Sequence, residues 1–187
     1  MGDAPVGLQL HTVRKEAEGN LGKVIESVAA MGYEGVEFAG YYGYSADEIR
    51  ELLDAAGLKC CGSHMGITAF FGDELARTIA FNRSLDNNYL ICSGLPEAYR
   101  GSREAWLRTA ELFNRLAAQL EREGMRIGYH NHLHEFQSLP GGGETPWELF
   151  FSNTSPRVIM QIDTGNALAA GADPVAQVRN YPGRAVS

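Results

Sequence analysis

Residues 128–136 read GYHNHLHEF and place His130, His132, His134 and Glu135 within six positions. All four side chains belong to types that bind divalent cations or carry protons near neutral pH. On an extended strand alternate residues share a face, so His130 and His132 point the same way. His134, past the strand, is expected to turn to solvent. The stretch reads as the polar lip of a site, and the elements around it decide what that lip faces.

Hydrophobic spacing along the chain switches repeatedly between two periods. Strands are expected at 6–11, 35–39, 58–64, 88–94, 125–132 and 157–163. Helices are expected at 20–32, 45–57, about 72–85, 102–124, 145–151 and 173–181. Ser45 with Glu48 forms a capping box, and Gly57 ends that helix. Ser102 caps the longest helix, and Asp173 followed by Pro174 opens the last.

Such alternation implies a parallel sheet with helices outside it. No GxGxxG follows the first strand and no phosphate-binding P-loop is present, so a nucleotide-binding doubly wound fold loses its usual support. Strand parity adds to this. Val6, Leu8 and Leu10 oppose Gly7, Gln9 and His11; Val36 and Phe38 oppose Glu37. Ile127 and Tyr129 oppose His130 and His132, and Val158, Met160 and Ile162 oppose Gln161 and Asp163. His64 and Ser93 join the polar set, which gathers at the C-terminal ends of the strands, where βα barrels build their sites. The fold class expected is α/β, a parallel (βα) TIM-barrel type, as a single domain over 1–187.

Bulk properties remove other readings. A formal charge of −7 with no basic block argues against nucleic acid. No apolar run approaches the ~20 residues that span a bilayer. The start, MGDAPVGLQL, lacks the shape of a leader. Three cysteines without a CxxC pair read as buried, reduced thiols in a cytoplasmic protein. Trp106 and Trp147 read as helix-packing residues.

GLQLHTVR, GYEGVEF, GSHMGI, IGYHNHLHEF and QIDTGNAL follow one another in an order that resembles the sugar phosphate isomerase/epimerase superfamily, with its xylose-isomerase-like TIM barrel. The resemblance covers nearly the whole chain, and YHNHxxEF and DTGNA are its most specific pieces. It implies a divalent-metal-dependent isomerase or epimerase that moves a proton beside the carbonyl of a sugar or keto-acid substrate, through an enediolate. It also implies that Asp163 is the metal ligand after the sixth strand, with the fifth-strand donors supplied by Glu135, His130 or His132. The metal would be Mn, Mg, Zn, Co or Fe. Glu135 and His132 are the catalytic candidates; His64, Glu37, His11 and His130 are candidates for substrate binding. The family continues to a seventh and an eighth strand, whereas this chain ends at YPGRAVS, so six of eight units are expected, with homo-oligomers covering the open edges. Two alternatives stand beside this reading: a non-haem iron oxygenase using two histidines and one carboxylate, and a non-catalytic barrel remnant.

Overall fold

A helix appears wherever apolar residues recur every three or four positions, and a strand wherever they alternate. The computed structural model describes residues 4–139 and 142–187; Met1–Asp3, part of the stretch searched for a leader, lie outside the described residues. In chain order the elements are β1 (Gly7–Gln9), α1 (Arg14–Gly19), α2 (Leu21–Ala30), β2 (Gly35–Ala39), α3 (Ala46–Ala56), β3 (Lys59–Met65), α4 (Gly72–Ser84), β4 (Tyr89–Cys92), α5 (Glu97–Arg100), α6 (Arg103–Glu121), β5 (Arg126–His130), α7 (Pro146–Ser152), β6 (Ile159–Gln161), α8 (Thr164–Ala169) and α9 (Pro174–Asn180). Each strand neighbours its sequence successors in the sheet order β1-β2-β3-β4-β5-β6. The chain divides into two compact units, the first running to Met65 and taking in Ala69–Leu90, the second formed by Gly66–Thr68 and Ile91–Ser187.

In the first unit β1 runs parallel to β2, and β2 to β3. The apolar stripe of α2 (Leu21, Val24, Ile25, Val28) is buried in one cluster with Val36 and Phe38 of β2 and Ile49 and Leu53 of α3. Each such side chain contributes about 1.5–3 kcal/mol when fully removed from water. The Ser45–Glu48 capping box forms as expected, and Gly57 takes the left-handed conformation that closes α3. A buried polar knot ties α4 to β3: the Ser63 hydroxyl donates to Asn82 Oδ1 at 2.9 Å, and Asn87 Nδ2 donates to the same oxygen at 2.7 Å.

The second unit is built on aromatic packing. α6 buries Trp106 and Phe113, and α7 buries Trp147 and Phe150. Phe113 meets Phe150 edge-on at 4.9 Å, and Tyr129 of β5 lies 5.2 Å from Phe150. Both tryptophans are thus core residues. β5 pairs parallel with β6. On β6, the Met160 amide donates to the Arg184 carbonyl at 2.9 Å. The Arg184 guanidinium turns inward, donating to Phe151 O (2.8 Å), Val158 O (3.1 Å) and Thr154 Oγ1 (2.7 Å). Burial pulls its pKa down to about 10.

Several elements differ from the expected ones. β1 stops at Gln9, because Leu10–Val13 form a 3₁₀ turn started by Gln9, whose side-chain oxygen accepts from the His11 amide at 2.6 Å. β5 ends at His130 rather than His132, and β6 at Gln161, which leaves Asp163 as the N-cap of α8. α1, α5 and α8, each of four to six residues, are too short for periodicity to reveal. No helix among the described residues is long and apolar enough to cross a membrane.

Candidate active site

The second unit carries the polar groups at the ends of β5 and β6. His130 Nδ1 lies 3.1 Å from Gln161 Oε1, while Gln161 Nε2 donates to the Ser187 hydroxyl at 3.1 Å. With the amide so oriented, His130 Nδ1 donates to Gln161 Oε1. Nε2 lies 3.8 Å from Asp163 Oδ2, an ion-pair distance when the ring is protonated. Asp163 is held by its own helix, with Oδ1 accepting from the Asn166 amide (2.8 Å) and Oδ2 from Asn166 Nδ2 (3.0 Å). Asn131 locks the two strand ends together: its Oδ1 accepts from the Asp163 amide at 2.7 Å, and its Nδ2 donates to the Asp163 carbonyl at 3.1 Å.

Glu135 has a different environment. It is fully buried, and it belongs with Tyr129, whose ring packs among Trp106, Phe113 and Phe150. The Tyr129 hydroxyl donates to Oε1 at 2.5 Å, and the His132 amide donates to Oε2 at 2.8 Å. His134 Nε2 lies 2.9 Å from Oε1. Burial raises the Tyr129 pKa well above its ordinary value, and the adjacent carboxylate adds to the effect. Burial also lowers the His134 pKa, outweighing the opposite pull of Glu135. The rings of His130 and His132 are 5.3 Å apart at a steep angle, and those of His132 and His134 are 6.0 Å apart and nearly parallel. His132 itself is exposed.

In the first unit Glu37 is the hub. Gln9 Nε2 donates to its Oε2 at 3.2 Å, and His64 Nε2 lies 3.1 Å from the same oxygen. A β-bulge makes this pairing possible: Val36 stands opposite Cys60 but Glu37 opposite Gly62, so Cys61 is an extra residue. Gly62 leaves room for the carboxylate there, since a Cβ would sit 2.4 Å from Glu37 Oε1. Cys60 packs with Val36 and Phe38, while His64 faces with Glu37. His11 is exposed on the 3₁₀ turn and takes no part in this group.

The divalent metal that the resemblance implies needs oxygen and nitrogen donors of this kind. Asp163 and His130 fit such an ion as two of its donors, with the imidazole oriented by Gln161 as metal-bound histidines are by their partners. Among the described residues no group of three or more His, Cys, Asp or Glu side chains is gathered to hold one. Glu135 has protein partners on both oxygens. The described residues thus do not make a self-sufficient metal site.

A family model described as a xylose isomerase-like TIM barrel matches residues 25–186. The chain belongs to the xylose isomerase-like TIM barrel family. The inosose dehydratase of Klebsiella pneumoniae (strain 342) is 25% identical over 174 residues, covering 81% of this chain and 56% of the relative. That of Glaesserella parasuis is 23% identical, covering 89% and 61%. The chain thus spans little more than half the length of these curated relatives. A sugar phosphate isomerase/epimerase from Parabacteroides distasonis superposes with a TM-score of 0.81 at 24% identity, covering 98% of this chain and 74% of that one. A D-psicose 3-epimerase superposes at 0.67 and 14%, covering 97% and 71%. Both likenesses bear on the fold, which is of the family's barrel type.

Residues that were not among the candidates read from the sequence hold the polar groups in place. Asn131 and Asn166 sit inside the motifs already singled out, but a motif does not say which of its letters bonds to backbone. Gln161 was visible as a polar residue on the face of His130. Tyr129 was placed on the helix-facing side, and its hydroxyl was the one available signal that Glu135 could turn inward.

Proposed function

We propose that this chain serves a sugar isomerase or epimerase reaction, moving a proton on a carbon beside the carbonyl of a sugar or small hydroxy-ketone. The observation that carries the reading is the approach of His130 Nε2 to Asp163 Oδ2 at 3.8 Å, an imidazole and a carboxylate gathered at the C-terminal ends of two barrel strands. The names of the similar proteins support it. Dehydration of an inosose and epimerisation of a ketose beside its carbonyl both begin by loosening a carbon-bound proton next to a ketone.

In this reading Asp163 and His130 bind the cationic partner of the site, and the exposed His132 ring contacts substrate oxygens. Within the first unit taken by itself, Glu37 and His64 form a carboxylate–imidazole pair suited to hydrogen-bonding hydroxyls, and His11 lies exposed in the same unit. Metal dependence rests on the family resemblance and on the two donors, so no step here is routed through an ion. A cytoplasmic setting, supported by free thiols at Cys60, Cys61 and Cys92, and homo-oligomerisation belong to the same proposal.

The test is incubation of the protein in D₂O with an inosose, D-psicose or D-fructose, following deuterium incorporation beside the carbonyl by NMR. Exchange that falls by about 100-fold in Asp163→Asn is expected. Absence of exchange with all three ketones would overturn the reading.

A further inference from the structure

Residues 184–187 belong to no helix or strand, yet they are tied to β6 and, through it, to His130. Arg184 anchors them. Its carbonyl accepts from the Met160 amide, and its buried guanidinium donates to the carbonyls of Phe151, Thr154 and Val158 and to Thr154 Oγ1. The same group lies 4.6 Å from the centre of the Phe151 ring. A charged donor satisfied at so many points gives the residues after it a fixed starting place. Three positions on, the exposed Ser187 hydroxyl accepts from Gln161 Nε2 at 3.1 Å. Gln161 Oε1 lies 3.1 Å from Nδ1 of His130, its partner residue on the neighbouring strand. The carboxamide is thus gripped at both ends.

The torsions that turn an imidazole ring and a terminal amide are both soft, without the steep staggered wells of an aliphatic side chain. Their settings depend on the hydrogen bonds made at each end. The His130 ring is therefore turned as the Gln161 amide allows, and that amide as Ser187 allows. The structure assigns Gln161 and Ser187 as positioning residues that hold the His130 ring at the angle bringing Nε2 to 3.8 Å from Asp163 Oδ2. The inference rests on the functional reading above for its use, and on these contacts for its geometry. Neither residue is given a contact with substrate; both act through His130. A segment without regular structure so becomes part of the frame of the site.

Two variants and a conservative control test this on the whole chain. Ser187→Ala trims a hydroxyl at an exposed position, and Gln161→Met removes the bridge while keeping most of its bulk. Circular dichroism checks that both fold. In protein with ¹⁵N-labelled histidine rings, the His130 signals should shift in both variants, while the indole signals of Trp106 and Trp147 in the core stay in place. Ser187→Thr restores a hydroxyl and should return the His130 signals to near their parent positions. Unmoved His130 signals in Ser187→Ala, or a threonine variant that behaves like the alanine one, would overturn the assignment. In the deuterium assay, exchange should fall several-fold in Ser187→Ala, fall further in Gln161→Met and recover in Ser187→Thr. Exchange in Ser187→Ala equal to that of the parent would also overturn it. If the parent exchanges nothing with any of the three ketones, the functional reading fails, and the ring signals alone decide whether Ser187 and Gln161 position His130.

Discussion

The Tyr129 hydroxyl donates to Glu135 Oε1 at 2.5 Å, joining the last turn-side residue of β5's helix-facing row to a carboxylate six positions later. The bond runs away from the face that carries His130. It folds residues 131–136 back beneath the aromatic layer, and the His132 amide, donating to Oε2 at 2.8 Å, completes the loop.

Tyr129→Phe removes one of the few donors compensating a fully buried charge. The cost is expected to be about 1–3 kcal/mol, read as a drop in the urea unfolding midpoint. An unchanged midpoint would show that the carboxylate does not depend on the phenol.

Stability should decline on the alkaline side. Burial pushes the Cys60 thiol up to about 11 and those of Cys61 and Cys92 to about 12, from an ordinary value of 9.0. Tyr129 is raised as well. Above pH 9 the unfolded chain releases protons that the folded chain retains, so stability is full below that point and falls as pH rises toward the folded values. Urea midpoints measured from pH 8 to pH 11 should be level at first and then fall; a level series throughout would contradict the burial of these groups.

Asp163 has two separable roles. Its Oδ1 caps α8 by accepting from the Asn166 amide, and Oδ2 faces His130. Asp163→Asn keeps a capping oxygen and should leave thermal stability nearly unchanged, whereas Asp163→Ala should cost about 1 kcal/mol. Binding of Mn²⁺, followed by calorimetry, should be weak in the parent, as two donors allow, and abolished in both variants. Near-stoichiometric metal on the purified parent, absent from Asp163→Ala, would mean that a fuller donor set assembles.

Two glycine substitutions should behave differently. In Gly128→Ala the new methyl meets Ile91 Cδ1 at 2.6 Å and Ile159 Cβ at 2.9 Å inside a packed core, and a loss of about 1–3 kcal/mol is expected. In Gly62→Ala the obstacle is the flexible end of Glu37 at 2.4 Å, which can swing aside. That variant should unfold near the parent midpoint while the His64 ring resonances shift, reporting loss of the 3.1 Å contact with Glu37. Equal stability losses would refute the distinction.

Helix ends were the most legible part of the chain. Ser45, Glu48, Gly57, Ser102, Asp173 and Pro174 act as their types suggest, because capping is decided within four residues. Strand faces were legible as long as the strand lasted. Parity placed Glu37 and His130 on the polar face and Tyr129 and Met160 on the other. It could not follow the chain past His130, where the loop's course depends on long-range bonds to Tyr129 and Asn131. Glu135 therefore looked available as a ligand on sequence, whereas the fold surrounds it with donors. His11 was counted as the end of β1, and Gln9 ended the strand two residues earlier through its own side chain.

The bulge at Cys61 bears on how this strand tolerates changes of length. Counted letter by letter, Cys60 and His64 should share a side, yet the ladder sets Cys60 beside Val36 and His64 beside Ala39, with Cys61 outside the count. The doubled cysteine works as a spacer rather than as a pair. Deleting Cys61 would preserve every remaining partner in the ladder and keep His64 beside Glu37. Deleting Ser63 instead would rotate His64 into the layer of helices. Either cysteine of the pair can thus be lost from β3, with the same resulting sequence, without reversing its faces.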